Sequence, residues 1–454
     1  MDDVENPEVA VNSFFMSQLT VNAPGKAERS SLVEKLKKLG PGLITGASDD
    51  DPSGIATYSQ AGARFGYGLL WTMLFTLPLM ASIQELSARI GRITGRGIAG
   101  NIRRQYSVWL LYPVVFLLVL ANIINIGADI GAIGAAAAMV IGGSPLLYAV
   151  LFSVASLLLQ IFLHYDRYAS YLKWLTLVLF TYVATVFMVH APWKEALKST
   201  LLPHPQFAGA YWAMFIAILG TTISPYLFFW QASQETEEIE NDPDQEPVKC
   251  DPAEAPEQFR RIRFDTYTGM SLSNLVAFFI ILSAAVTLHA NGTTEIQTAE
   301  QAAEALRPLA GKLTFLLFAV GIIGTGMLAV PVLAGSAAYA IGEACKWPSG
   351  LARRPLDAKA FYGALAAATL IGLALNFPLV QRFIHITPLK ALIVSAIING
   401  VVAVPIMVVI LFMVRSRKVM GRFTVTSKWL LITGWLATAM MAVAAGGMFL
   451  TWGK

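Results

Sequence analysis

Charge is scarce in this chain. Only 14% of its 454 residues are Asp, Glu, Lys or Arg, against 56% apolar, whereas soluble domains carry about 25% charged residues. That shortage excludes an ordinary water-soluble globule. Cysteine is scarcer still: Cys250 and Cys345 are the only two, too few for a disulfide framework. Catalytic signatures are missing as well. There is no His-Glu-x-x-His, no phosphate-cradling Gly-Lys-Ser/Thr turn and no Gly-x-Ser-x-Gly nucleophile turn, so neither an enzyme nor a cofactor is expected. A net charge of +4 does not single out nucleic acid as a partner, and nothing marks an obligate protein partner. Residues 1–38 are polar with no apolar core, so they read as a cytoplasmic tail and not as a cleavable signal peptide.

What is abundant is long uncharged sequence. Runs of about 20 apolar residues, enough to cross a bilayer, predict eleven helical spans at roughly 40–62, 67–90, 107–140, 145–163, 168–190, 207–234, 265–290, 311–345, 357–378, 387–414 and 428–451. The expected class is an all-α integral membrane protein. A cytoplasmic N-terminus puts 25 of the 33 Lys and Arg on the cytoplasmic side and 8 on the other, which is the positive-inside bias. An odd span count then leaves the C-terminus outside, and the expected location is a bacterial inner membrane. After the sixth span, Glu235, Glu237, Glu238, Glu240, Asp242, Asp244 and Glu246 read as a solvated cytoplasmic linker.

The most informative segment is Ser48-Asp49-Asp50-Asp51-Pro52-Ser53-Gly54, three carboxylates within the first span. An ionised group at mid-depth costs roughly 2.5–3.5 kcal/mol on insertion scales, so such groups face a cavity or pathway. Pro52 lacks an N–H and Gly54 is a poor helix former, which predicts a helix break that frees backbone carbonyls. A second break is predicted at Gly220-Thr221-Thr222-Ile223-Ser224-Pro225-Tyr226 in the sixth span. Each break opens a block of five spans, and the blocks start on opposite sides of the membrane. This predicts an inverted 5+5 repeat with broken helices 1 and 6: a first repeat of about 39–190, a second of about 207–414 and an extra helix at about 428–451, the whole transporter domain covering 39–451. Matched broken helices point to a transporter's central site; the bland alternative is that Pro52 and Pro225 merely kink structural helices. On helical spacing Asn122, Asn125 and Asp129 share a face of the third span. That face is read as lining the bundle interior, for structural hydrogen bonding or for proton conduction.

Gly40-Pro41-Gly42, Asp51-Pro52-Ser53-Gly54-Ile55-Ala56-Thr57, Gln60-Ala61-Gly62-Ala63 and Phe65-Gly66-Tyr67 resemble the first span of the Nramp (natural resistance-associated macrophage protein) family of divalent-metal transporters, whose motif reads Asp-Pro-Gly-Asn. Ala128-Asp129-Ile130-Gly131 is similar to that family's acidic third-span segment, and the second break stands where the family has Met-Pro-His. The resemblance implies an amino-acid-transporter-like fold and alternating access. It implies that Asp51 binds the metal, that Thr221 lends a carbonyl and that Asp129 matches a proton-transfer aspartate. Gly54 stands at a liganding asparagine, Ser224 at a methionine and Tyr226 at a histidine, while Ala132 sits where many members have glutamate. The chain therefore resembles a divergent member that lacks the usual Asn and Met ligands.

These departures have physical consequences. A thioether favours softer transition metals, whereas oxygen donors suit magnesium, calcium or manganese. Losing the asparagine is expected to open room, and an all-oxygen site of Asp51, Asp50, Ser224, Thr221 and freed carbonyls would suit a partly hydrated magnesium ion. The expected function is a secondary transporter of divalent cations, magnesium or manganese foremost, with proton symport and facilitated flux both open. The competing reading keeps the fold and moves a small organic solute. Asp49 is expected on a different face from Asp51, Glu85 at a hydrated helix end or gate contact, His164 and Asp166 in a surface loop, and Asn399 on the wall of the site.

Overall fold

The computed structural model describes residues 41–163, 177–189, 191–203, 205–206, 208–242, 244–384 and 386–451. The tail 1–38, Gly40, the start of the fifth span, and the loop residues His164 and Asp166 lie outside the described residues. Among those described, all regular structure is helical. The principal helices are α1 (Pro41–Asp49), α2 (Pro52–Phe65), α3 (Leu70–Thr94), α4 (Ile98–Gln105), α5 (Val108–Ile141), α6 (Pro145–Phe162), α7 (Phe180–Met188), α8 (Trp193–Leu201), α9 (Gly209–Thr222), α10 (Pro225–Asn241), α11 (Ala255–Thr287), α12 (Thr314–Cys345), α13 (Lys359–Ala374), α14 (Pro388–Arg415) and α15 (Lys428–Thr451).

Both predicted breaks are present. The first span is interrupted between α1 and α2, and the sixth between α9 and α10, with Pro52 and Pro225 as the first residues of α2 and α10. At that position a proline's missing N–H goes unused within the new helix. By length and composition, eight helices among the described residues can cross a membrane, or nine if the bent pair Leu177–Met188 and Trp193–Leu201 forms one span. The expected first and second spans merge in this count, because α2 and α3 form one run, Pro52–Thr94. Lys359–Ala374, expected as the ninth span, is a shorter apolar helix.

The outer face is unusually apolar, and polar groups join the apolar residues of the interior. Trp109, Phe116, Phe162, Ile432 and Val443 are exposed, while Asp51, Asn125, Asp129 and Asn399 are buried. Exposed apolar faces on this scale mark a surface made for hydrocarbon. Inside, the broken helices pack reciprocally: α1 and α2 lie on α11, and α10 lies on α3. Each break thus leans on the long helix that follows the other break, an arrangement consistent with an inverted repeat. Glycines allow the closest approaches. A Cβ at Gly46 of α1 would stand 2.5 Å from the Gly269 carbonyl oxygen of α11, and one at Gly400 of α14 would stand 2.8 Å from the Ile216 oxygen of α9.

This packing is testable. Gly220 of α9 backs onto the α14 main chain, where an added Cβ would meet Gly400 N at 2.5 Å, while Gly363 of α13 faces open space. Overpacking costs about 1–3 kcal/mol, so Gly220→Ala should lower the apparent melting temperature in detergent while Gly363→Ala should not. Equal melting of the two variants would refute the close contact.

Candidate functional site

The geometry of the site begins with two carbonyls. In an unbroken helix the N–H of residue 52 would bond to Ser48 O, and that of residue 225 to Thr221 O. Proline removes both donors. The second break supplies replacements: the Tyr226 hydroxyl donates to Ser48 O at 3.2 Å, and the Ser224 hydroxyl donates to Thr221 O at 3.0 Å and to Gly220 O at 2.6 Å. Tyr226, Ser224 and Thr221 are all buried. The breaks therefore touch, through a hydrogen bond between residues 178 positions apart. Each carbonyl expected to be freed for a cation thus accepts a hydroxyl in this structure, and a carbonyl oxygen keeps a second lone pair.

Asp51 lies between them. As N-cap of α2, with extended backbone (φ −69°, ψ 170°), it takes the conformation and side-chain role that such a position favours. Its Oδ1 accepts from the Gly54 N–H at 2.7 Å and from the Ser53 hydroxyl at 2.6 Å. Its Oδ2 accepts from Asn125 Nδ2 at 3.0 Å. The same amide nitrogen donates to Asp129 Oδ2 at 3.2 Å, and Asn125 Oδ1 accepts from Asn399 Nδ2 at 3.3 Å. Asp51, Asn125, Asp129 and Asn399 thus form one buried polar chain across α2, α5 and α14.

Other expected residues are placed elsewhere. Asn122 shares the buried face of α5 with Asn125 but donates to Leu333 O at 2.9 Å and Ser336 Oγ at 2.6 Å on α12, which makes it a helix-to-helix tie. Asp50 and Asp49 both turn to α11, where the Ser273 hydroxyl lies 2.6 Å from Asp49 Oδ2 and 3.1 Å from Asp50 Oδ1. The room expected at Gly54 is filled: a Cβ there would stand 3.1 Å from Thr221 Oγ1 and 3.2 Å from the Tyr58 ring. Among the described residues, no three His, Cys, Asp or Glu side chains converge to hold a metal.

Two expectations at the helix ends need correction. Glu85 is not at a hydrated end; it is fully buried and paired with Arg89 at 2.5 Å and Arg263 at 3.6 Å. The acidic run is not wholly a solvated linker either, because α10 continues to Asn241 and buries Glu235 and Glu237. Glu235 meets Arg261 at 2.5 Å, and Glu237 accepts from the Tyr339 hydroxyl. Buried acids of this kind persist only when paired. Sequence reasoning missed Ser53 and Ser273. Ser53 had a local signal, since Asp51 precedes a helix start; Ser273 had none, because its partners lie more than 200 positions away.

Comparison with known proteins places this geometry. The model of the family described as natural resistance-associated macrophage protein-like (Nramp) matches residues 42–451. The divalent metal cation transporter MntH of Klebsiella pneumoniae (strain 342) is 27% identical over 436 residues, spanning 92% of this chain and 95% of that protein. The manganese transporter of Eremococcus coleocola, solved with an aromatic bis-isothiourea substituted compound, has the same fold, with a TM-score of 0.71 at 17% identity over 92% of this chain and 87% of its own. MhsT in complex with L-phenylalanine is a more distant likeness, with a TM-score of 0.59 at 13% identity over 91% of this chain and 97% of its own. With a family model matched across nearly all the helices described above, this chain is a member of the Nramp family of membrane transporters.

Proposed function

We propose that this protein is a secondary transporter of divalent cations, magnesium or manganese, which it carries by alternating access through a central site at the two helix breaks. The observation that carries the reading is the meeting of the breaks beside a buried carboxylate: Tyr226 holds Ser48 O while Asp51 lies at the head of the Asn125–Asp129–Asn399 chain. Family membership and the name of the Klebsiella relative support a divalent metal as cargo. The donors around Asp51 are carboxylate, amide, hydroxyl and carbonyl groups, a set suited to hard cations. Ser224 and Tyr226 would release Thr221 O and Ser48 O by rotating, and the two breaks would serve as hinges. The same reading keeps eleven spans, a cytoplasmic N-terminus, a bacterial inner membrane and the repeat limits derived from the sequence.

Flux on this reading is not coupled to protons. Proton paths in membranes use relays of Asp, Glu and His. Here Asp129 is hydrogen-bonded to the amide of Asn125, Tyr226 is committed to a backbone carbonyl, and the residue three beyond Asp129 is Ala132.

Three measurements bear on this. In proteoliposomes, Asp51→Ala should abolish saturable manganese and magnesium uptake; retained uptake would remove the break from the transport path, and uptake of an organic solute instead would favour the competing cargo. A pH-sensitive dye inside the same vesicles should report no acidification accompanying cation influx, and acidification that scales with influx would establish symport. Finally, Gly54→Asn with Ser224→Met should favour cadmium only when Tyr58→Ala clears the space beside residue 54. No gain in the triple variant would show that the donor set does not govern selectivity.

A further inference from the structure

A cavity of 590 Å³ opens where α4, α10 and α12 come together, lined by Arg96, Arg103, Arg104, Lys346 and Arg353 with Trp347 beside them. Three carboxylates share the lining, Glu237, Glu240 and Glu343, and each is already engaged. Glu343 accepts from the backbone N–H groups of Gly97 at 3.0 Å and Gly100 at 2.8 Å. Glu237 accepts from the Tyr339 hydroxyl and the Ala352 N–H, and Glu240 pairs with Arg353 at 3.0 Å. Arg96, Arg103, Arg104 and Lys346 therefore have no ion-pair partner among the described residues. Arg96, Arg104 and Lys346 are exposed and Arg103 is half-buried.

A positive-inside bias accounts for basic residues at this edge of the membrane. It does not account for four unpaired cations converging on one concave wall whose acids are all occupied. Such a lining repels a divalent cation, so the cavity is ill suited to the cargo. It suits the opposite charge: guanidinium groups match phosphate oxygens two at a time, and lysine adds a point charge.

We infer that this cavity is a binding site for a phosphate-bearing anion, held by Arg96, Arg103, Arg104 and Lys346. None of its lining residues belongs to either helix break, so the inference stands or falls apart from the proposed cargo. The phosphate has two possible sources, a soluble compound or the headgroup of an acidic lipid.

The test uses the full chain in nanodiscs. In discs of phosphatidylcholine alone, inorganic pyrophosphate is titrated by calorimetry. In discs containing phosphatidylglycerol, lipid retained on release is measured by native mass spectrometry. Both are repeated with Arg96→Gln/Arg104→Gln, with Lys346→Gln, and with Arg417→Gln/Lys418→Gln, exposed residues outside the cavity. Pyrophosphate binding would identify a soluble source, and phosphatidylglycerol retention a lipid source. Either should weaken about ten-fold or more in the cavity variants and hold in the control. Failure of both ligands to bind the unaltered protein, or equal binding by the cavity variants, would overturn the inference.

Discussion

A carbonyl released by proline has to find a donor where water is scarce, and this requirement organises the centre of the molecule. Backbone groups left unpaired in hydrocarbon cost several kcal/mol each. Pro52 and Pro225 each release one, and hydroxyls of a single segment, Ser224 and Tyr226, cover both. Because Tyr226 reaches across to α1, satisfying the backbone also joins the two broken helices. Local chemistry and global architecture meet in one hydrogen bond.

The same economy governs the charged groups. Asp51 is buried, yet every donor on it is aligned by a helix: its own first turn supplies Gly54 N–H and Ser53, and α5 supplies Asn125. Asn125 in turn bridges Asp129 and is steadied by Asn399. One neutral amide, Asn125, thus lies between two carboxylates, and Asn399 ties it to a third helix. The members of this polar chain are held by one another, so displacing one disturbs the rest.

The helix ends use a different solution. Around Glu85, Glu235 and Glu238, acids are met directly by Arg89, Arg92, Arg261 and Arg263. In the neighbouring cavity the acids are satisfied by backbone N–H, tyrosine and Arg353, and four cations are left over. One bundle therefore offers acidic and neutral oxygens at its middle and unpaired guanidinium groups at one end.

Sequence alone determined the features that depend on near neighbours. Apolar run length specified a helical membrane protein, and proline beside small or acidic residues located both breaks. Helical spacing put Asn125 and Asp129 on one buried face. What it misjudged were partnerships between distant residues. The acidic run around Glu235 and Glu237 carries the local signature of solvation, because Arg261 and Tyr339 arrive from 26 and 102 positions away. The absence of a side chain at Gly54 suggested open space, but Tyr58 and Thr221 fill it. Ser48 O and Thr221 O were readable as freed, yet which hydroxyls would claim them was not. Only the tertiary structure decides such matters, since a break is a property of a few adjacent residues, whereas its partners are whichever groups the packed helices bring within reach.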